Sequence, residues 1–122
     1  SISCEVEPSA TNVVCDAHLM ETVLRNLLYN ALRYANTQIR VAFGVSSSAY
    51  RLVVEDDGPG IPESERQRVF ASFVQLNEPG RHKSGFGLGL AIVKRIVEWH
   101  GGHVTADQSA LGGARFVVVW PA

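Results

Sequence analysis

Two asparagines one helical turn apart are the residues of this sequence whose type and spacing most suggest chemistry. Asn26 and Asn30 lie in a stretch with helical periodicity, although asparagine competes for backbone hydrogen bonds and forms helices poorly. An amide oxygen at Asn30 would suit Mg²⁺, which takes one or two protein oxygens together with substrate phosphates. Asn26 would orient water or phosphate, Arg33 would meet phosphate charge, and Tyr34 would stack on a base. The alternative is a solvated helix face with an incidental repeat.

Asp56 is the second candidate, because it ends a row of alternating apolar residues that begins at Tyr50. A carboxylate at the end of a core-facing row can accept a hydrogen bond from an exocyclic amine such as that of adenine. Gly58 and Gly60 would let the main chain approach the ring closely. The alternative is a turn carboxylate that caps the backbone of these two glycines, since Asp and Gly dominate ordinary turns.

Three alternating glycines, Gly85, Gly87 and Gly89, precede a predicted helix over residues 88–100. The dinucleotide-binding pattern G-x-G-x-x-G requires its last glycine at the position where this chain has Leu90. The phosphate-binding pattern G-x-x-x-x-G-K-[ST] does not occur in the sequence either. The start of the helix offers free N–H groups to an anion, and Arg81 or Lys83 could close on phosphates. A flexible hinge is the alternative for the glycines, and simple solvation for one of the basic residues.

The helices and strands that must position these residues are predicted from hydrophobic periodicity and from residues typical of helix ends and turns. Asp16 is placed to cap a helix over residues 16–35, and period-2 alternation predicts strands over 39–45 and 50–56. Two closing strands, joined by a glycine turn, are predicted over 103–107 and 114–120. A short helix begins after Pro62, and residues 75–84 are predicted to form a loop. The sequence therefore predicts an α+β fold, a two-layer sandwich of mostly antiparallel strands with helices on one face. The predicted core face of the first helix comprises Met20, Leu24, Leu27, Leu28, Ala31, Leu32 and Ala35.

Length, charge and composition limit the classes of function that are expected for this chain. The 122 residues carry a net charge of −1 and suit one domain, which disfavours binding to nucleic acid or to an anionic membrane surface. The sequence contains no apolar run long enough to span a membrane and no leader pattern, so a soluble chain is expected. Cys4 and Cys15 are expected to be free thiols, and the four histidines are too scattered to suggest a metal site.

Joined in this order, the motifs resemble the ATP-binding catalytic domain of bacterial sensor histidine kinases, in the superfamily shared with gyrase, MutL and chaperone ATPases. Residues 26–34 resemble the N box, 56–62 the first glycine box, 69–73 the F box and 84–93 the second glycine box. The resemblance covers essentially the whole chain. It implies the Bergerat fold, with a mostly antiparallel mixed sheet covered on one face by about three helices.

The resemblance also implies roles for individual residues. Asn30 would bind Mg²⁺, Asp56 would read adenine, and residues 75–88 would form a lid over ATP. Phe70 and Phe73 would anchor that lid and face the phosphoacceptor domain, unless they are ordinary core residues. The implied catalytic residues are Asn26, Asn30 and Arg33, and the implied ATP-binding residues are these three with Tyr34, Asp56, Gly58, Gly60, Ile61, Arg81, Lys83, Gly85, Phe86, Gly87, Leu88 and Gly89.

One position distinguishes the branches of this superfamily. Hydrolytic members carry a Glu as general base one turn before the Mg²⁺ asparagine, and this chain has Asn26 there, whose neutral amide cannot accept a proton. The resemblance therefore implies donation of the γ-phosphoryl group of Mg²⁺-bound ATP to a histidine, and it disfavours hydrolysis of free ATP.

The phosphoacceptor histidine box and the dimerisation helices of the family are missing from this sequence. We therefore expect a single catalytic domain over residues 1–122 that cannot phosphorylate itself in isolation. Its expected partners are a dimerisation and phosphoacceptor domain and, downstream, a response regulator. We expect it to be cytoplasmic, without membrane contact, within a full-length protein anchored in the inner membrane. The alternative function is a nucleotide-dependent interaction module that performs no chemistry.

Overall fold

The computed structural model describes residues 2–6, 16–46, 48–71 and 89–121. The strands are β1 (Ile2–Val6), β2 (Ile39–Val45), β3 (Ala49–Asp56), β4 (His103–Gln108) and β5 (Ala114–Pro121). The helices are α1 (Ala17–Tyr34) and α2 (Gly89–Trp99). Two single-turn 3-10 helices, Glu63–Glu65 and Arg68–Phe70, occupy the region where a short helix is predicted after Pro62.

The five strands form one mixed sheet in the order β1-β2-β3-β5-β4. β1 pairs with β2 in parallel, and the other three pairings are antiparallel. Both α-helices pack on the same side, which we call the helix face, and the other side is called the open face. The predicted α+β two-layer sandwich with a mostly antiparallel sheet is confirmed. None of the described helices is both long enough and apolar enough to cross a membrane.

Residues predicted as caps define the limits of the helices. Asp16 precedes α1, and its Oδ1 accepts a hydrogen bond from the N–H of Leu19 at 3.0 Å, as expected of an N-cap. After α2, Gly101 has a φ of 77°, and the N–H of Gly102 donates to the carbonyl of Val97 at 3.0 Å. A left-handed glycine followed by such a bond satisfies the last carbonyl groups of a helix.

The two helices run antiparallel beside each other. The N–H of Asp16 donates to Nε2 of His100 at 3.1 Å, so the start of α1 lies beside the end of α2. Asn26 lies beside Gly89, the first residue of α2. The last two turns of α1 therefore extend past the start of α2.

The core lies between the helix face and the two helices. α1 contributes Val23, Leu27 and Ala31 to it, each at most 2% exposed. The prediction that Leu32 belongs to the core face was wrong, because its side chain is 55% exposed. Leu32 lies in the part of α1 that extends past α2, so no described helix covers it there. The other buried side chains include Val93, Ile96 and Val97 of α2 and Leu52, Val54, Phe116 and Val118 of the sheet.

β3 is central to the sheet and presents different chemistry on its two sides. Tyr50, Leu52, Val54 and Asp56 point to the helix face, whereas the alternate residues Arg51, Val53 and Glu55 point to the open face. The strand is buried from Leu52 to Asp56. Two adjacent carboxylates, Glu55 and Asp56, are thus both buried, on opposite sides of the same strand.

Candidate functional site

The polar stripe of α1 begins with Asn26, whose amide orientation is fixed by the helix itself. Its Nδ2 donates to the carbonyl of Thr22 at 2.8 Å. Its Oδ1 faces α2, where a methyl group added to Gly89 would lie 3.0 Å from that oxygen. The bare Cα of Gly89 therefore lets the N-terminus of α2 approach Asn26, and two motifs far apart in sequence meet here.

The other residues of the stripe follow toward the C-terminus of α1. Asn30 is half-buried one turn after Asn26, and its amide makes no hydrogen bond to any residue that the structure describes. Arg33 is exposed on the next turn, and Tyr34 is half-buried at the last position of the helix. Asn30 thus offers an amide oxygen, and Arg33 a solvent-accessible guanidinium, on the side of α1 that passes the start of α2.

Asp56 ends β3 with a side chain that is only 2% exposed. Its Oδ1 accepts hydrogen bonds from the N–H of Gly58 at 2.9 Å and from the N–H of Ala114 at 3.2 Å. The cap on Gly58 agrees with the turn interpretation, and the partner on β5 was not predicted. These two bonds from neutral main-chain N–H groups fix the orientation of the carboxylate.

Two glycines bring the residues around Asp56 into contact with the rest of the site. A methyl group at Gly58 would lie 2.1 Å from the carbonyl oxygen of Tyr34, so this turn packs directly on the C-terminus of α1. A methyl group at Gly113 would lie 2.3 Å from Oδ1 of Asp56 and 2.6 Å from the nitrogen of Gly58. Gly60, with a φ of 75°, has the left-handed backbone that glycine favours. Tyr34, Asp56, Gly58, Gly60 and Gly113 therefore form one compact group.

The carboxylate of Asp57 is also held by several hydrogen bonds, which the sequence interpretation did not predict. Its carboxylate accepts hydrogen bonds from the backbone N–H groups of Asn36, Thr37 and Gln38 at 2.8 to 3.1 Å, and from the Thr37 hydroxyl at 2.8 Å. The N–H of Gln38, with further donors on Thr37 and Asn36, holds the pKa of Asp57 far below its usual value. This carboxylate fastens the connection between α1 and β2 to the turn after Asp56.

The doubled aspartate of the first glycine box was the only sequence signal for Asp57, and its partners are about twenty residues away. Gly113 and Ala114 were also missed. Their sequence was read as a turn, and the contact with Asp56 appears only once β3 and β5 are paired.

Ile61 and Phe70 are part of the core beside this group. Ile61 is 8% exposed and Phe70 is 7% exposed. The ring of Phe70 packs edge-on against Phe116, with centroids 6.1 Å apart. This packing agrees with the alternative that Phe70 is an ordinary core residue, and its contact with a phosphoacceptor domain stays a prediction. Phe73, Arg81, Lys83, Gly85, Phe86, Gly87, Leu88 and Cys15 lie outside the described residues.

The site offers few ligands of its own to a metal ion. Among the described residues, no group of three or more His, Cys, Asp or Glu side chains is arranged to hold one. The half-buried amide of Asn30 without a protein hydrogen bond suits an ion that takes one protein oxygen and completes its shell with phosphate and water. The donor set therefore fits Mg²⁺ delivered with a nucleotide better than a resident metal centre.

The fold and the arrangement of these residues define an ATPase domain of the gyrase, chaperone and histidine kinase type. The profile of the family described as histidine kinase-, DNA gyrase B- and HSP90-like ATPases matches residues 15–122. The chain belongs to this family, as its resemblance to the sensor kinase domains predicted.

Two of three similar proteins are named as a sensor protein and a sensor histidine kinase. The chain is 50% identical over 108 residues to the sensor protein RstB of Escherichia coli, with 87% of this chain and 25% of RstB covered. The mycobacterial sensor histidine kinase MprB has a similar structure, with a TM-score of 0.87 at 31% identity over 98% of this chain and 82% of that one. Full-length ShkA in complex with AMPPNP gives a TM-score of 0.85 at 29% identity, with 98% of this chain and 25% of ShkA covered. The chain thus spans about a quarter of the length of the curated relative RstB.

Proposed function

We propose that this chain is the catalytic domain of a sensor histidine kinase, which binds Mg²⁺-ATP and donates the γ-phosphoryl group to a histidine on a separate dimerisation domain. The observation that carries this proposal is Asn26. It stands where hydrolytic members of the superfamily have a general base, and its Nδ2 is bonded to the carbonyl of Thr22. An amide cannot take a proton from water, so the pocket favours transfer to a nucleophile supplied by another domain.

The adenine end of the site is assigned to Asp56. Its Oδ1 is held by the N–H groups of Gly58 and Ala114, which orients the carboxylate toward an exocyclic amine. Gly58 and Gly60 lie in the turn that would border the base, and the missing side chain of Gly58 lets this turn pack on the C-terminus of α1. Ile61 and Tyr34 border this end, and the AMPPNP complex of ShkA supports a nucleotide ligand for this fold.

The phosphate end is assigned to α1 and the start of α2. Asn30 would hold Mg²⁺ through its amide oxygen, and the ion would neutralise charge on the phosphates. Arg33 is exposed on the same stripe and would contact a phosphate oxygen. The N-terminal N–H groups of α2, beginning at Gly89, would bind a second phosphate. Gly85, Phe86, Gly87, Leu88, Arg81 and Lys83 remain proposed contacts of the lid.

In the transfer step, a ring nitrogen of the acceptor histidine would attack the γ-phosphorus atom in line with the leaving oxygen of ADP. The nitrogen–phosphorus bond forms as the phosphorus–oxygen bond breaks, and the imidazole loses its proton to solvent. This chain contributes positioning and charge neutralisation, which dominate catalysis of phosphoryl transfer.

The remainder of the proposed protein follows from the relatives. RstB is about four times as long as the matched region, so a dimerisation domain elsewhere in the same protein is the proposed phosphoacceptor. A response regulator would then receive the phosphoryl group, and the catalytic domain would lie in the cytoplasm beneath an inner-membrane anchor. We propose residues 1–122 as one catalytic domain that does not phosphorylate itself in isolation.

The proposal is tested by mixing the chain with the purified dimerisation domain of its own full-length kinase and γ-labelled ATP. We expect acid-labile phosphohistidine on the dimerisation domain and none on this chain. Asn30→Ala should reduce Mg²⁺-dependent nucleotide binding or transfer, with the exposed Gln67→Ala as the control for loss of an amide. Absence of transfer at saturating ATP, with intact nucleotide binding, would support an interaction module instead. Turnover of free ATP well above background would support hydrolysis.

A further inference from the structure

The open face of the sheet carries a row of alternating charge that the nucleotide site does not use. The strand register places Arg40 opposite Glu55, Glu55 opposite Arg115, and Arg115 opposite Asp107. Glu55 is only 8% exposed, and its Oε1 accepts a hydrogen bond from the Ser109 hydroxyl at 2.9 Å. The same oxygen lies 3.7 Å from Nε of Arg115. The buried carboxylate of this row is therefore already engaged by protein groups.

An apolar row lies beside the charged one. Ala42, Val53 and Val117 are paired across three strands on the open face, and Val53 is only 4% exposed. Beyond this row lies Arg51, which is exposed and forms no ion pair with any residue that the structure describes. Arg51 and Glu55 are four positions apart on β3, which corresponds to about 13 Å at the rise of a strand. Arg51, with no ion-pair partner among the described residues, thus faces the charged row across an apolar strip.

A hollow of about 380 Å³ lies over these two rows. Among the described residues, its lining includes the arginines Arg40, Arg51 and Arg115 and the carboxylate of Glu55, which pairs with Arg115. The small side chain of Ala42 opposite Val53 leaves room above the strip. The size of the hollow falls within the range of roughly 300 to 1,000 Å³ found for sites that bind small molecules.

We propose that this hollow is a second binding site, which takes a small organic anion with an oxyanion group and a short apolar stem. The oxyanion, a carboxylate or a phosphate ester, pairs with the guanidinium of Arg51, because the planar fork of arginine matches both groups bidentately. The stem lies on Val53, and a second polar group of the ligand reaches the end of the hollow near Arg40 and Arg115. Glu55 and Asp56 point to opposite sides of β3, so this site is separate from the nucleotide site.

The test titrates the 122-residue chain with succinate and, separately, with glycerol 3-phosphate, followed by amide chemical shifts at constant ionic strength. We expect saturable shifts around Val53, Glu55 and Arg115, and the probe that binds more tightly identifies the preferred oxyanion. Arg51→Gln should weaken the binding about tenfold, because it removes a charged hydrogen bond. Arg51 is exposed and makes no ion pair with the described residues, so the variant should keep its unfolding temperature and its affinity for an ATP analogue.

Arg68→Gln is the matched control, since Arg68 is also exposed but lies outside the hollow and pairs with Glu65 at 3.0 Å. Its affinity for both probes should equal that of the unmodified chain. Shifts that do not saturate, that appear equally with chloride, or that persist unchanged in Arg51→Gln would overturn the proposal. Shifts centred on Asn30 and Asp56 would also overturn it, because they would place the anion in the nucleotide site.

Discussion

Glu55 and Asp56 are neighbours in sequence, and both carboxylates are buried. Their described partners on the two sides of the sheet are nevertheless different. On the open face, the described partners of Glu55 include a cation, Arg115, as well as the Ser109 hydroxyl. On the helix face, the described hydrogen bonds of Asp56 come from the neutral N–H groups of Gly58 and Ala114. The ion pair partly offsets the charge of Glu55, whereas the two described hydrogen bonds of Asp56 set the orientation of its carboxylate. Burial alone would not have distinguished the structural carboxylate from the proposed functional one.

The largest expected effect comes from Asp56→Asn. The amide oxygen can still accept the two backbone N–H bonds, but the substituted side chain has lost the charge offered to an exocyclic amine. We expect nucleotide affinity to fall about tenfold or more, in line with ~1.5 to 3 kcal/mol for a charged hydrogen bond, measured by calorimetry with an ATP analogue. Glu55→Gln is the matched control and should leave this affinity unchanged. Equal losses in the two variants would remove the distinction between the two carboxylates.

Gly113→Ala should displace the carboxylate of Asp56 on the helix face. The new methyl group would lie 2.3 Å from Oδ1 of Asp56 and 2.6 Å from the nitrogen of Gly58, so both must move. We expect the free energy of unfolding to fall by about 1 to 3 kcal/mol, the usual cost of overpacking, together with weaker nucleotide binding. Urea denaturation and calorimetry measure the two effects. Gly112→Ala is the control for backbone strain. Nothing lies within 4 Å of its added methyl group, so any loss of stability there comes from the φ of 105° and not from a contact. A stable Gly113→Ala variant with full affinity would show that this contact does not position Asp56.

Ser109→Ala perturbs the open-face carboxylate without touching the other. It removes the hydrogen bond to Glu55 at 2.9 Å and the one that the Ser109 hydroxyl accepts from the N–H of Leu111 at 3.0 Å. We expect a loss of about 1 kcal/mol in the free energy of unfolding and no change in nucleotide affinity. The exposed Ser64→Ala is the control and should be neutral. Reduced affinity in Ser109→Ala would mean that the two sides of the sheet are coupled.

Asp57 extends the comparison to a third carboxylate, with an effect that appears only in acid. Its pKa is held far below the usual value by the N–H of Gln38 and by donors on Thr37 and Asn36, so the charged form stabilises the fold. This contribution is complete above the ordinary carboxyl pKa of about 4 and is lost as the pH falls from there toward the folded-state pKa. Urea denaturation between pH 7 and pH 2 should show the stability difference between the chain and Asp57→Asn to be constant near neutrality and to shrink in acid. A difference that does not change with pH would contradict the pairing.

Most of the fold could be predicted from the sequence because its signals are local. Period-2 alternation defined β2 and β3, an N-cap aspartate preceded α1, and paired glycines marked the end of α2 and the turn before β5. The prediction that Asp56 belongs to a core-facing row was confirmed, since that inference needs only the parity of a strand. The exposure of Leu32 could not be predicted, because it depends on where α2 starts relative to α1 in space.

Less of the candidate site could be predicted from the sequence, because its contacts also depend on how distant elements pack in space. The contacts of Asp56 with Ala114, of Gly58 with Tyr34, and of Asn26 with Gly89 each join segments that are distant in the chain. Phe70 belongs to a motif that is proposed to carry function, yet its ring is in the core against Phe116. Residue types indicated which groups could bind a nucleotide, and only the packing of the strands and helices indicated how those groups are held.

The alternation along β3 has a consequence for insertions and deletions. Because successive side chains point to opposite sides of a strand, removing one residue from the middle of Ala49–Asp56 would exchange the sides of all residues on one flank of the deletion. The carboxylate of Asp56 would then turn toward the open face and that of Glu55 toward the helices. The connection between β2 and β3 lies at the far end of the strand, so a change of length there leaves the parity of Asp56 intact. Natural length variation among related chains is therefore expected in that connection and not within β3.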